Sequence, residues 1–385
     1  MELNRRHLLT ASALLLARPS MGLPREVDSA GAKPLILCWN ENPYGPSPKA
    51  RAVIAATISE SCRYPDEDIR ELTTLLAREN GIPADHLVLG TGSGELLRAM
   101  GALCARDRGE IVAAQPTYTE LTEYAHRAGA TLKFVPVDKD LRHDLDAMRA
   151  AVSERTRVVY LCNPNNPTGT ALPSEAIDAF VAAMPQHVTV VIDEAYMDFV
   201  DLPGVRSALP LVTQGRRVVV LRTFSKIHGM AGIRVGYGIA GPDLITELTG
   251  IVMTSPNIFA MRAARASLLD PDFRAQCFKK IRASRTRITT ELARLGRRYA
   301  VPQGNFVFFD TGMPLEAFSD SMKARNILVG RLFPPYDTWC RITIGTEPEV
   351  ATFLQALNEV LKSGITRTSA DRAGNRNAAR DRYPV

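Results

Sequence analysis

The sequence is poor in the features that mark several large classes of protein. No apolar run approaches the ~18–20 residues a bilayer span needs, so no membrane span is expected. Cysteine is scarce. Six in 385 residues, at positions 38, 62, 104, 162, 277 and 340, form no CxxC pair, which excludes a disulfide scaffold and predicts buried free thiols. The six histidines form no HExxH or comparable cluster, and no metal site is expected. No Gly-Lys pair occurs, so the acidic strand end at Asp193 and Glu194 has no GxxxxGK[ST] loop to serve. The stretch from Gly236 to Gly241 matches GxGxxG, but residues 255–269 lack the acid a dinucleotide fingerprint requires. Cationic excess is also small where it matters. Of the net +6, residues 1–26 carry +2 and residues 367–385 carry +3, which leaves +1 for the body and argues against a nucleic-acid partner.

What is present is material for a large core. Apolar residues make up 45% and the length suits two to three domains. Short β-branched runs recur at 86–89, 110–113, 131–135, 157–161, 189–192, 217–221 and 233–239. Several are apolar without alternation, as strands covered on both faces must be. Helical stretches such as 95–104, 120–128 and 174–183 lie between them, which predicts an α/β fold with a large, mainly parallel seven-stranded sheet. Beyond 256 the texture changes to helices, short strands near 306–309 and 341–344, and a last helix near 348–362. The expected organisation is a leader and linker over 1–32, a large domain over 33–255, a smaller C-terminal α+β domain over 256–364 and a polar, aperiodic tail over 365–385.

The leader has its own chemistry. Arg5 and Arg6 precede an apolar stretch of about ten residues, which resembles a twin-arginine export signal and implies a periplasmic protein shortened somewhere before Lys33. Asn4 and Leu8 stand where that signal usually has Ser/Thr and Phe. The alternative is an ordinary N-terminal helix of a cytoplasmic enzyme.

Ligands of such sheets sit beyond the carboxyl ends of the strands. There this sequence is polar in a patterned way. Gly90-Thr-Gly-Ser-Gly opens a helix whose first amides can hold a phosphate. Asp193 ends a buried strand, where a carboxylate is costly without a cationic partner. Lys226 follows another buried strand, and Arg234 lies eight residues on, within reach of the same phosphate. An amine, an acid and a phosphate cradle are what pyridoxal 5'-phosphate requires. Each residue alone has an ordinary explanation, a solvated loop lysine for Lys226 among them.

Together they resemble a known family. Asn40-Glu-Asn-Pro-Tyr-Gly-Pro-Ser-Pro48, Arg63-Tyr-Pro-Asp66, Gly90-Thr-Gly-Ser93, Pro116-Thr-Tyr118, Asn163-Pro-Asn-Asn-Pro-Thr-Gly169, Asp193-Glu-Ala-Tyr196, Thr223-Phe-Ser-Lys226, Arg234-Val-Gly-Tyr237 and Arg341-Ile-Thr-Ile-Gly-Thr346 occur in the family's order over roughly residues 35–362. The chain resembles fold-type-I pyridoxal-phosphate aminotransferases, and within them histidinol-phosphate aminotransferases. Aromatic amino acid aminotransferases and a decarboxylase branch share these motifs.

The resemblance implies a transaminase that moves an amino group between a small-molecule amino donor, an amino acid or amino alcohol phosphate, and a 2-oxo acid. It implies that Lys226 is the Schiff-base lysine and proton carrier, that Asp193 pairs with the pyridine nitrogen, and that Tyr196 and Asn166 bond the ring oxygen. Tyr118 stacks on the ring; Gly92, Ser93, Gly94, Thr223, Ser225 and Arg234 surround the phosphate. Tyr64 reaches the cofactor of a second subunit, which implies a homodimer. Arg341 clamps a substrate carboxylate, and Asn42 closes over the substrate. Arg331 stands near the place of a family arginine that meets a substrate phosphate.

Overall fold

The uninterrupted apolar runs are strands, and they are covered on both faces. In the computed structural model, described over residues 33–106, 108–253 and 255–367, the strands are β1 (Leu35–Leu37), β2 (Leu87–Gly90), β3 (Glu110–Gln115), β4 (Thr131–Pro136), β5 (Thr156–Cys162), β6 (Thr189–Asp193), β7 (Val218–Thr223), β8 (Gly236–Ile239), β9 (Phe306–Asp310), β10 (Ile327–Val329) and β11 (Trp339–Thr343). The export-signal reading and the polar tail beyond Arg367 lie outside the described residues, whereas residues 365–367, expected in that tail, continue the helix Glu347–Arg367. Seven strands form one sheet in the order β2-β8-β7-β6-β5-β3-β4. β8 pairs antiparallel with both neighbours and the other pairings are parallel, so the expected mainly parallel seven-stranded sheet is present.

The centre of this sheet is its driest part. Val190, Val191 and Ile192 on β6, and Val218, Val219, Val220 and Leu221 on β7, are each no more than 1% exposed. Burying such a side chain is worth about 1.5–3 kcal/mol, and alternate residues face different helical layers. Val190 and Ile192 pack in one core with Leu72, Leu76 and Met261, whereas Val191 packs in another with Leu96, Met100 and Leu121. β8 is shorter than the apolar run at 233–239, because Arg234 takes a left-handed backbone (φ 67°) and turns the chain first.

A second core gathers the C-terminal elements. β9 pairs antiparallel with β11, β1 pairs parallel with β10, and the 24-residue helix Pro271–Arg294 lays Cys277, Ile281, Ile288 and Leu292 against them. Packing divides the chain differently from the expected boundary at 255/256. The helix Ile258–Leu268 buries Ala260, Met261, Ala263 and Ala264 in the core of the large sheet, while β1, near the other end of the sequence, joins the second core through Leu37. The thiols also differ in part from expectation: four are buried, but Cys38 is half-buried and Cys62 is exposed. Among the described residues, no helix is long and apolar enough to cross a membrane.

Candidate active site

Because β5, β6 and β7 run side by side and in one direction, their carboxyl ends deliver three polar segments to one place. A cavity of about 790 Å³ opens there, and Asp193 and Lys226 both line it. Asp193 is 2% exposed. Its Oδ1 accepts the Ala195 N–H at 3.1 Å and its Oδ2 the Tyr160 hydroxyl at 3.2 Å. Burial pushes this carboxyl up to about 6, although those two donors favour its anion. Lys226 Nζ donates to the carbonyls of Asn40 at 3.1 Å and Trp39 at 3.5 Å, and lies 5.4 Å from the centroid of the Tyr196 ring. Enclosure away from water lowers its ammonium to about 8, and the Arg341 guanidinium pushes the same way.

One wall of the cavity is a cradle of donors. The helix Ser93–Arg106 presents the first-turn amides of Ser93 and Gly94, which a helix leaves without intrahelical acceptors. Glu95 turns away from them: its Oε2 accepts from Thr91 N and Oγ1, both at 2.6 Å, and its Oε1 from Met253 N at 3.1 Å. Thr223 and Ser225 add hydroxyls to the same lining. Arg234 contacts the Ser225 hydroxyl at 3.3 Å and the carbonyls of Ala231 and Thr91 at 2.9 and 3.4 Å. Gly92 lies beneath this guanidinium rather than on the cavity surface. Its φ is +82°, and a Cβ there would collide with the Arg234 side chain.

The opposite wall comes from the second core. Arg341 on β11 is 8% exposed, with NH1 donating to Asn166 Oδ1 and NH2 to the Cys38 carbonyl, both at 2.6 Å. Its Nε is buried and has no acceptor among the described residues. Tyr196 packs edge-on to Phe306 at 4.9 Å and its hydroxyl accepts from Asn40 Nδ2 at 3.0 Å. Tyr118 donates to Glu120 Oε2 at 3.3 Å. Burial raises both phenols above their ordinary value, so both stay protonated.

Besides Gly92, two expected site residues stand apart from the cavity. Asn42 is buried, but its Nδ2 donates to the Ile227 carbonyl at 2.8 Å and its Oδ1 accepts the Tyr44 N–H at 3.1 Å. Its amide thus bonds backbone at both ends, pins the residue after Lys226 and does not line the cavity. Tyr64 is 91% exposed and is not part of the cavity wall. Conversely, Asn40, Trp39 and Phe333 line the cavity without having been assigned there, and Arg331, which the resemblance set near a phosphate-binding arginine of the family, lines it too. Asn40 combines a left-handed backbone (φ 55°) with a carbonyl that receives Lys226, a conformation that Asn tolerates better than most residues.

These residues fit pyridoxal phosphate. A lysine of lowered pKa, a buried acid, a wall of helix-start amides with the Thr223 and Ser225 hydroxyls, and a buried Arg341 nitrogen without an acceptor among the described residues meet in one cavity. Fold and site define a fold-type-I pyridoxal-phosphate enzyme. Residues 32–357 match the family described as aminotransferase class I and II, and the chain belongs to it. It is a pyridoxal-phosphate-dependent transaminase of the histidinol-phosphate aminotransferase type. A histidinol-phosphate aminotransferase of Moorella thermoacetica is 36% identical over 362 residues, spanning 93% of this chain and 92% of its own. Histidinol-phosphate aminotransferase 1 of Nitrosococcus oceani is 37% identical over 351 residues, with 90% and 93% covered. The crystal structure of the Sinorhizobium meliloti histidinol-phosphate aminotransferase, in complex with pyridoxal 5'-phosphate, has a TM-score of 0.79 at 28% identity and covers 86% of this chain and 92% of that one.

Proposed function

We propose that this transaminase takes its amino group from an amino substrate bearing an anion, histidinol phosphate or an amino acid, and passes it to a 2-oxo acid. The reading is carried by one observation: Lys226, Asp193 and Arg341 line a single cavity. When bound, pyridoxal phosphate supplies the carbonyl that takes up the amino group and the ring that accepts the electrons left at Cα. Lys226 would anchor it and, once displaced, take the proton from the substrate Cα; enclosure away from water lowers its pKa and so favours the neutral amine this needs. Asp193 holds a proton on the pyridine nitrogen. Tyr196 and Asn166 orient the ring oxygen, Tyr118 covers the ring face, and the cradle residues with Arg234 bind the phosphate. Arg341, already held by Asn166 and Cys38, offers its remaining N–H groups to a carboxylate. Arg331, 4.7 Å from the Phe333 ring centroid, adds a second cation to the cavity for a substrate anion.

Histidinol phosphate is favoured as donor by the names of the relatives. A panel of amino donors that includes histidinol phosphate, each paired with a 2-oxo acid and followed by mass spectrometry, tests the reading. Amino exchange is expected, and loss of CO₂ from the donor contradicts it.

The exposed Tyr64 supports a homodimer in which this ring reaches a neighbouring subunit's cofactor. Sedimentation of the loaded protein should give twice the chain mass. Arg5 and Arg6 support export to the periplasm, for which a mature N-terminus ahead of Lys33 is expected in the periplasmic fraction. An intact Met1 in the cytosol contradicts it.

A further inference from the structure

Asp193 has a hydrogen-bond donor that this reading leaves without a role. Tyr160 on β5 is fully buried, packed in the apolar layer that holds Val191 and Leu221. It lies two residues before Cys162, the β5 residue paired with Asp193, so strand alternation puts Tyr160 and Cys162 on one face. Its hydroxyl is the one polar atom of that side chain, and it donates to Asp193 Oδ2 at 3.2 Å. Ala195 N–H occupies Oδ1. A carboxylate has about four lone-pair sites, so both bonds leave room for a third donor on the cavity side.

Among the described residues, six titratable groups interact electrostatically with Asp193: Tyr160 and Cys162 from β5, Tyr118 beyond β3, Glu194 and Tyr196 beyond β6, and Lys226 beyond β7. Most are engaged elsewhere. The Cys162 thiol lies 3.4 Å from the Pro164 carbonyl, Tyr118 donates to Glu120, Tyr196 bonds Asn40, and Lys226 donates to the Asn40 carbonyl. The Glu194 carboxylate, with none of its side chain exposed, accepts from Arg222 Nε at 3.0 Å, Ser207 Oγ at 2.8 Å and Ala208 N at 2.7 Å. Of the six, Tyr160 is the one whose side chain donates to the Asp193 carboxylate. Burial lifts its phenol well above the ordinary value, so it stays a donor.

We propose that Tyr160 is a positioning residue for the transamination site: its hydroxyl fixes the Asp193 carboxylate and stabilises the charged form, so that the cofactor's ring nitrogen meets an anion. Without that bond, the apolar surroundings favour a neutral acid, which cannot hold a proton on the ring. The inference rests on Asp193 as the ring-nitrogen partner.

Tyr160→Phe removes the hydroxyl and little else. In the full chain, its dissociation constant for pyridoxal phosphate should rise about tenfold, the usual scale for losing a hydrogen bond to a charged group. The acid limb of cofactor affinity should move up by about one pH unit, because losing a bond to the anion raises the pKa of the acid. The KM for the amino donor should stay within about twofold while kcat falls. In an Asp193→Asn background, Tyr160→Phe should change cofactor affinity less than about twofold, whereas a merely structural role makes the two effects add. Unchanged affinity and an unshifted acid limb in Tyr160→Phe overturn the role of Tyr160. If instead Asp193→Asn itself leaves cofactor affinity intact, the assignment of Asp193 fails and this inference falls with it.

Discussion

The two walls of the cavity are built by different means. The wall carrying Asp193, Thr223 and Lys226 grows from adjacent strands of one sheet, and a continuous backbone ladder sets its spacing: Asp193 pairs with Leu221, and Glu194 N–H extends the ladder to the Leu221 carbonyl at 2.9 Å. The wall carrying Asn40 and Arg341 is assembled from segments about 300 residues apart. Asn40 N–H donates to Thr343 Oγ1 at 2.8 Å, Arg341 bonds the Cys38 carbonyl, and Asn305 Nδ2 reaches the Asn40 carbonyl at 3.0 Å. Cofactor chemistry therefore rests on a rigid ladder, and substrate recognition on a joint between two cores. Damage to the first should cost chemistry and cofactor binding; damage to the second should cost substrate binding.

The sharpest test of that contrast is Lys226→Ala. Losing the proton carrier should lower kcat by at least about 10²–10⁴-fold in single-turnover assays, while circular dichroism stays native. A loss smaller than tenfold breaks the distinction between the walls.

Asp193→Asn should separate stability from function. The folded pKa of Asp193 is raised from 3.8 to about 6, so without cofactor its contribution to stability is present at acid pH and is lost as pH rises through about 6. Neutralising it should therefore make the cofactor-free protein roughly 3 kcal/mol more stable above pH 6, at most, and weaken cofactor binding. Urea unfolding of both proteins from pH 4 to 7 measures this. The comparison with wild type cancels His143 and His228, whose pKa values burial lowers to about 4 and about 3 and whose contributions run in the opposite sense. Equal stabilities at pH 7 refute the cost of the buried charge.

Arg341→Ala acts on the other wall. It should raise KM for carboxylate substrates by about 10–100-fold, the scale of a lost charge-assisted bond, with cofactor affinity within a fewfold of wild type. Equal losses of both would mean that the two walls are not separable. Asn42→Ala should have the smallest effect, about 1 kcal/mol of stability from its bonds to Ile227 and Tyr44, without a selective rise in substrate KM. A large KM effect restores the substrate contact that the structure does not give it.

The same contrast explains what could be read from the sequence. β5, β6 and β7 are apolar at nearly every position because both faces are covered, and the polar residues at their ends mark where the chain leaves the core; the cofactor wall follows from local pattern. The other wall does not. β1 and β10 are three residues each and pair across about three quarters of the chain, so neither has a period to detect. The left-handed backbone at Asn40 and the inward turn of the Asn42 amide depend on tertiary partners. The helix Ile258–Leu268 begins where the sequence texture changes, yet its alanines fit the large-sheet core, and only packing reveals that. Tyr160 reads as a core tyrosine in an apolar run; its hydroxyl gains a meaning once β6 is seen beside β5.

The amine at 226 is expected to be the one that takes the cofactor. Borohydride reduction of the loaded full-length protein, proteolysis and peptide mass spectrometry locate that linkage directly. A single pyridoxyl-bearing peptide containing Lys226 is expected. A modified peptide centred on any other lysine, with Lys226 unlabelled, contradicts it.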